Sequence, residues 1–474
     1  MPAGAGAPVL RDYQTDVVAR VRAAYQAGSR RVLLVSPTGS GKTVTFSHIL
    51  ASAAGRRKRV LIVVHRVELI DQIGIAFDLA GVPYGVIAPG HPETDEPVQI
   101  ASVATLARKC RLERWREKFD LLVVDECQHA VAASWASVLA SQPKAHVLGV
   151  TATPERLDGR GLREIFDAMV EGPTTAALIA AGWLSNFTIY APAVAPDLSR
   201  ARIRAGDYAT EDLRAAMDGI VIGAAVEEYL RLCPGAPAVA FCVDIAHSEA
   251  VAARFREAGV RAAHLDGETS AADRRAAIAG LGKGDPQVIA NCGLISEGLD
   301  VPSIGAAILL RPTKSLGLYL QMVGRALRPA PGKDRALILD FAGNVARHGF
   351  PDDPRAWSLD AKPRRQRDQA ATAPLRRCAE CGAMNRPNAR ACVECGADLR
   401  TPKERAEIAI RLRRAEEFEV EGRLRGMSYW ARIRWAGADE ERLRLVARVS
   451  GYKLGWVWHQ LREQSPAIVG GVCG

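Results

Sequence analysis

The chain has 474 residues, 48% hydrophobic and 24% charged, an ordinary globular composition with enough apolar material for two to four packed domains. Its formal net charge of +10 points to a polyanionic partner, nucleic acid first. No apolar run is long enough to span a bilayer, and residues 1–8 are small and flexible with no basic segment leading into an apolar core, so neither a membrane anchor nor a signal peptide is expected. Ten cysteines are present, four of them clustered. Without a secretion signal the scattered ones read as reduced thiols, and the expected location is cytoplasmic.

After a flexible N-terminus (1–9), residues 10–190 alternate short apolar runs with helical stretches. The runs at 32–35, 60–64, 98–103, 121–124 and 147–150 are rich in Val, Ile and Leu, as strands buried on both faces of a parallel sheet are. The first is followed by Ser36-Pro37-Thr38-Gly39-Ser40-Gly41-Lys42-Thr43 and then a helical pattern from Val44. Strand, glycine-rich turn and helix start is the context of a phosphate-binding loop. Gly39 and Gly41 let the backbone curl so that N–H groups of Thr38, Gly39, Ser40 and Gly41 point at phosphate oxygens, and the helix N-terminus adds positive potential. Lys42 would reach the β- and γ-phosphates of ATP, and the Thr43 hydroxyl would sit on Mg²⁺. Ser36 stands where the usual first glycine of such a loop falls. The loop needs a carboxylate at a neighbouring strand end, and Leu121-Leu122-Val123-Val124-Asp125-Glu126 supplies it. Asp125 would hold Mg²⁺ and Glu126 would polarise the attacking water.

A second series of runs at 238–243, 262–265, 288–290, 307–310 and 336–339 lies within residues 191–350. The fold class is therefore α/β with two tandem doubly wound parallel sheets. Here Gln321-Met322-Val323-Gly324-Arg325-Ala326-Leu327-Arg328 places Arg325 and Arg328 three apart on one helix face. Arginines from a second domain would neutralise transition-state charge at the γ-phosphate, worth roughly 10³- to 10⁵-fold in rate. Residues 351–377 are charged and poor in apolar side chains, so they read as a linker.

In residues 378–400, Cys378-Ala379-Glu380-Cys381 and Cys392-Val393-Glu394-Cys395 form two Cys-x-x-Cys pairs, each followed by glycine. Four thiolates close a tetrahedral site suited to structural Zn²⁺, with disulfides the alternative. The ribbon would bind DNA or dock a protein partner equally well. Residues 401–474 read as a helical segment, with 403–425 amphipathic through Ile408, Leu412 and Ala415. Its last part joins Tyr452, Lys453, Trp456 and Trp458. Such aromatics can stack on bases or fill the core of a small helical cap, and the core is the preferred reading.

The motifs over residues 10–345 together resemble the superfamily two helicases, in a bacterial and prophage branch of the DEAD/DEAH-box-like type with a C-terminal zinc ribbon. Asp125-Glu126-Cys127-Gln128 is similar to their Asp-Glu box, ending in Gln where Asp or His is more usual, with His129 beside it. Leu10-Arg11-Asp12-Tyr13-Gln14 resembles the adenine-reading element, which implies nucleotide contacts for Arg11 and Gln14. Thr151-Ala152-Thr153 resembles the motif that couples hydrolysis to the nucleic-acid site. Gln321, Arg325 and Arg328 match the arginine-bearing motif, and the segment Ser296 to Pro302 matches the motif in which Gly298 and Asp300 lie near the nucleotide. The resemblance further implies RecA-like domains and backbone contacts to nucleic acid through His65, Arg66, Ser102, Thr105, Asp266, Gly267, Arg311 and Thr313. It implies an ATP-dependent DNA helicase or translocase, with DNA chosen over RNA on the resemblance alone. The rivals are a duplex translocase that remodels without separating strands, an RNA helicase, and a nucleic-acid-binding scaffold switched by ATP.

Overall fold

A computed structural model describes residues 9–65, 68–127, 133–156, 159–193, 196–217, 219–293, 304–361 and 375–464. Arg66, Gln128, His129, Gly298 and Asp300 lie outside the described residues, as do the segment Ser296 to Pro302 and most of the charged stretch after residue 361. The chain divides into two compact units, the first reaching Asn388 and including Val393–Cys395, the second made of Ala389–Cys392 and the residues from Gly396.

In the first unit the Val-, Ile- and Leu-rich runs form strands because β-branched side chains pack well on a pleated surface buried on both faces. Strands β1 (Arg31–Val35), β2 (Val60–Val64), β3 (Gly85–Ile87), β4 (Val98–Ser102), β5 (Leu121–Asp125), β6 (His146–Thr151) and β7 (Ala168–Glu171) build one parallel sheet in the order β3-β4-β2-β5-β6-β1-β7. Every residue of β2 is fully enclosed. One face packs around Phe46, Leu50, Ile73 and Phe77, the other around Trp115, Trp135, Leu139 and Phe166.

A second parallel sheet has the order β12-β13-β11-β14-β15-β8, from β8 (Asn186–Tyr190), β11 (Ala238–Phe241), β12 (Ala262–Leu265), β13 (Val288–Asn291), β14 (Ala306–Leu309) and β15 (Arg335–Asp340). A two-stranded hairpin, β9 (Ile203–Arg204) with β10 (Asp207–Tyr208), precedes it. β8, which the sequence division groups with the first domain, pairs in parallel with β15 and is an edge of the second sheet. Its NFTIY sequence has the β-branched and aromatic content of a strand, but its partner lies some 150 residues downstream.

The stretch after residue 350 begins as an ordered strap and not as a plain linker. Arg355 donates to the carbonyls of His348, Phe350, Pro351 and Asp353. Trp357 and Leu359 then pack into the first sheet's core, where Leu359 is 3% exposed. The Leu359 carbonyl accepts from Leu162 N at 2.7 Å and Arg163 N at 3.0 Å. Gly161 is required there, because a Cβ would lie 2.2 Å from that carbonyl oxygen. Two apolar side chains inside a polar stretch give almost no periodic signal, so composition alone misses this anchor.

β16 (Arg376–Arg377) and β17 (Met384–Asn385) pair antiparallel around the first Cys-x-x-Cys, and Ala383 bridges to Tyr190 at the open edge of β8. Arg335 grips Glu394 through two bonds of 2.6 and 2.8 Å.

In the second unit, helix Pro402–Arg425 opens with a capping box between Thr401 and Glu404. Ile410 is 52% exposed, whereas Val420 and Leu424 pack with Leu443, Val446, Ala447 and Val457. Of the apolar positions read from the sequence, Ile408 is half-buried, and the side chains of Leu412 and Ala415 lie outside the described residues. Trp456 and Val457 enter this small core, but Trp458 stays 64% exposed, so the expected aromatic core is only partly realised.

Candidate active site

The loop between β1 and the helix Lys42–Ala54 takes the conformation its glycines permit. Gly39 has φ +85° and Gly41 φ +73°, both in the left-handed region that favours glycine. A side chain on Gly41 would meet the Gln14 amide at 2.7 Å, and one on Gly39 would meet Leu184 at 2.9 Å. The Ser36 and Ser40 hydroxyls bond to each other at 2.8 Å across the loop. Lys42 Nζ donates to the carbonyls of Ser36 at 3.2 Å and Pro37 at 3.3 Å. Burial lowers the Lys42 pKa, and the charges of Glu126 and Asp125 work against that shift.

Gln14 holds the loop from outside. Its amide nitrogen donates to the Ser40 and Gly41 carbonyls at 3.4 and 3.3 Å, and its oxygen accepts from Arg11 N at 3.0 Å. Both amide hydrogens face the loop, so the remaining capacity for an adenine edge lies on the oxygen. Tyr13, to which the sequence reading gave no role, donates its hydroxyl to Ser40 O at 2.8 Å. The signal was present in the side chain between Arg11 and Gln14. The Arg11 guanidinium lies 4.1 Å above the Trp183 ring.

Asp125 ends β5, and Glu126 follows with φ +48°, a left-handed conformation that strains a residue with a side chain. Burial and the adjacent Glu126 charge push the Asp125 carboxyl up to about 6, partly offset by Lys42. Asp125 and Glu126 set two carboxylates side by side at the strand end next to Lys42. The hard oxygen donors of Asp125 and Thr43 fit Mg²⁺. His65, after β2, lies close enough to Asp125 for its charge to act on that carboxyl.

The second sheet meets this loop directly. Gln321 Nε2 donates to Glu126 Oε2 at 3.2 Å, joining residues 195 positions apart. Gly324 faces Thr38, and a Cβ there would come within 2.5 Å of the Thr38 Cβ. Arg325 is buried, and the charges of Arg325 and Arg328 act on Lys42. Helix Leu316–Ala326 thus brings Gln321 and Arg325 to the Lys42–Asp125–Glu126 pocket, whereas Arg328 lies beyond the Leu327 cap and reaches it from the turn that follows, so the two arginines do not share a helix face as the spacing predicts. Thr151 Oγ1 donates to Thr153 O at 2.8 Å and accepts from Thr153 N at 3.1 Å, and Thr153 abuts Gly317 of the same helix.

The residues assigned to nucleic-acid contact lie at carboxyl ends of strands, where ligands of open α/β sheets bind. Ser102 ends β4 and Thr105 follows it, both buried. Asp266 accepts from the hydroxyl and N–H of Thr269 and from Glu268 N, which holds its carboxyl below the usual range. Gly267 is exposed and Arg311 half-buried. Thr313 is wholly enclosed, its hydroxyl donating to Asp207 at 2.6 Å and its N–H to Asn344 at 3.1 Å.

The four clustered cysteine sulfurs lie within 4.8 Å of one another, with Cys378 and Cys395 at 3.6 Å. Gly382 and Gly396, at φ +81° and +73°, close each knuckle by donating to the carbonyls of Cys378 and Cys392.

Comparison with known proteins agrees with this geometry. Residues 7–156 match the family profile described as type III restriction enzyme, res subunit, and residues 224–330 match the helicase conserved C-terminal domain. A Lactococcus phage protein described as a 51.5 kDa protein is 33% identical over 380 residues, 80% of this chain and 80% of that one. The chain belongs to the superfamily two helicases. It is accordingly an ATP-hydrolysing enzyme. A Saccharomyces cerevisiae protein described as the ATP-dependent helicase IRC3 is 32% identical over 71% of this helicase, which spans 52% of that protein's length. A Vibrio vulnificus structure described as a fragment of an HsdR subunit of a type I restriction enzyme shares the fold at a TM-score of 0.57 and 21% identity, over 73% of this chain and 67% of that one. Among the described residues, no helix is long and apolar enough to cross a membrane.

The Asp125 carboxyl gives a stability test. Its folded-state pKa is raised, so its stabilising contribution is complete below the unfolded value near 4 and is lost as pH rises through about 6. Asp125→Asn should therefore stabilise the nucleotide-free protein above pH 6, by up to about 3 kcal/mol, with the gain fading towards pH 4. Thermal melts across that range read it, and a variant no more stable than wild type at pH 7.5 contradicts it.

Proposed function

We propose that this helicase is an ATP-driven DNA translocase whose two sheets share one catalytic pocket. The observation that carries the reading is the Gln321–Glu126 bond, which places the arginine-bearing helix against the water-directing carboxylate. In this reading the loop N–H groups and Lys42 hold the β- and γ-phosphates, and Glu126 orients the attacking water and takes its proton. Thr43 and Asp125 hold Mg²⁺, which supplies charge neutralisation at the phosphates when bound. Arg325 and Arg328 stabilise charge developing on the γ-phosphoryl oxygens. Gln321 donates to one Glu126 oxygen and Lys42 to loop carbonyls, so in this reading the same few side chains join the two sheets and face the phosphates, which links hydrolysis to motion between the sheets.

Thr151 and Thr153 serve as the coupling element in this scheme, because Thr153 abuts the helix that carries Gln321. Cycles of approach and separation move a strand held by His65, Arg66, Ser102, Thr105, Asp266, Gly267 and Arg311, with Gly298 and Asp300 beside the nucleotide. The enclosed Thr313 positions the second sheet's loops. DNA is favoured over RNA by the family resemblance, and the net charge of +10 suits either. The four thiols hold structural zinc: their 3.6 Å sulfur separation is near the roughly 3.8 Å of a tetrahedral site with Zn–S bonds of about 2.3 Å.

ATP turnover measured against single-stranded DNA, duplex DNA and RNA in parallel should rise most with DNA. Glu126→Gln should lower it by a factor of 100 or more while the protein remains folded. Stimulation by RNA alone would overturn the DNA assignment, and near-normal turnover in the variant would remove Glu126 from its role. Metal analysis of the purified chain should find zinc that Cys378→Ser releases; a zinc-free wild-type protein with normal melting behaviour would refute the metal site.

A further inference from the structure

Within the second unit, the segment that leaves helix Pro402–Arg425 turns at Gly426 and enters helix Tyr429–Ala436, capped by the Ser428 hydroxyl. The next helix, Glu440–Ser450, ends at Gly451 with φ +73°, and the chain doubles back so that Tyr452 returns beside Tyr429. The rings form a continuous run. Trp430 and Tyr429 are 5.1 Å apart between centroids, Tyr429 and Tyr452 6.3 Å, and Tyr452 and Trp456 4.9 Å. Trp456 is rooted in the unit's small core, whereas Trp430 is 71% and Tyr452 40% exposed. An indole left so far in water contributes little to that core, which aliphatic side chains of four helices already fill.

The segments that carry these rings are themselves free of carboxylates, with Asp439, Glu440 and Glu441 between them. Residues 422–438 and 442–462 contain no Asp or Glu and nine Arg or Lys. Several of the arginines are tied internally. Arg432 bolts the helices together through Leu424 O and Ser450 Oγ, while Arg442, Arg444 and Arg448 pair with Asp439, Glu440 and Glu421. Arg434 stands one helical turn beyond Trp430 and so on its face. Lys453 adjoins Tyr452, and both cations are exposed. Among the described residues no ion pair engages either.

We propose that Trp430, Tyr429, Tyr452 and Trp456, flanked by Arg434 and Lys453, form an accessory binding stripe for single-stranded nucleic acid. Aromatic faces accept any base by stacking, and adjacent cations follow the phosphates. A duplex keeps its base faces stacked inside, so the stripe selects unpaired strand. The absence of carboxylates along both segments favours a polyanion over an acidic-and-apolar protein surface. The inference rests on the reading of the chain as a nucleic-acid motor but concerns residues outside the ATP pocket.

The test uses the full chain and a fluorescein-labelled oligothymidylate, without nucleotide, at near-physiological salt. Trp430→Ala and Tyr452→Ala should each weaken binding by about 5- to 100-fold. Arg434→Glu combined with Lys453→Glu should flatten its salt dependence. Trp458→Ala, equally exposed but outside the ring run, should stay within about twofold of wild type, and circular dichroism checks that each variant folds. A 5-iododeoxyuridine oligonucleotide should photo-crosslink to peptides bearing Trp430 or Tyr452. Folded stripe variants that bind like wild type, with crosslinks only before residue 350, would overturn the proposal and leave a protein as the surface's occupant. A wild-type chain that binds no oligonucleotide, and whose ATP turnover no nucleic acid stimulates, would instead defeat the motor reading and the stripe with it.

Discussion

A hydrogen bond between Gln321 and Glu126 joins two sheets that are otherwise complete in themselves. The first sheet is buried between two cores and the second packs on a core of its own around Ile338, Tyr319 and Met322. What neither can do alone is balance the charge beside the phosphate-binding loop. Lys42 sits in a buried setting that lowers its pKa, next to Asp125, whose carboxyl is pushed up by burial and by the Glu126 charge. The helix Leu316–Ala326 brings an amide donor and Arg325 to that pocket from across the chain, and the turn after it brings Arg328. Gly324 makes the approach possible, since any side chain there would collide with Thr38.

The same interface is supported from behind. The strap beyond Phe350 is fastened by Arg355 to the end of the second domain and by Leu359 to the core of the first. It thus spans from the second domain to the first. The cysteine-rich ribbon is fixed to the second sheet through the Tyr190–Ala383 bridge and the Arg335–Glu394 pair. β8 holds the ribbon just after its first Cys-x-x-Cys, and β15 holds it within the second. Arg386 reaches from the ribbon to Asp352 at the start of the strap, at 2.8 Å, so ribbon and strap are mechanically continuous.

Much of this was legible in the residues. Runs such as Val60–Val64 announce a strand buried on both faces, and Gly39, Gly41 and Lys42 announce the turn that follows β1. What was not legible depended on distant partners. β8 looks like any short strand, and only its pairing with β15 assigns it to the second sheet. Leu359 lies in a stretch whose average character is polar, so its burial leaves no periodic trace. Thr313 reads as a surface hydroxyl until Asp207 and Asn344 are seen to close over it. Tyr13 lay within the adenine-reading segment, yet its bond to Ser40 depends on how the first helix meets the loop. Motifs whose chemistry is local were readable, and contacts that need a third dimension were not.

The central claim is that the pocket is shared, and Arg325 tests it most directly. Single-turnover hydrolysis of ATP by Arg325→Ala, with binding followed in parallel by a fluorescent ATP analogue, separates chemistry from affinity. The account predicts that the hydrolysis rate falls by about 10³-fold or more while nucleotide affinity changes by less than about tenfold. A folded variant that hydrolyses bound ATP at the wild-type rate would contradict it.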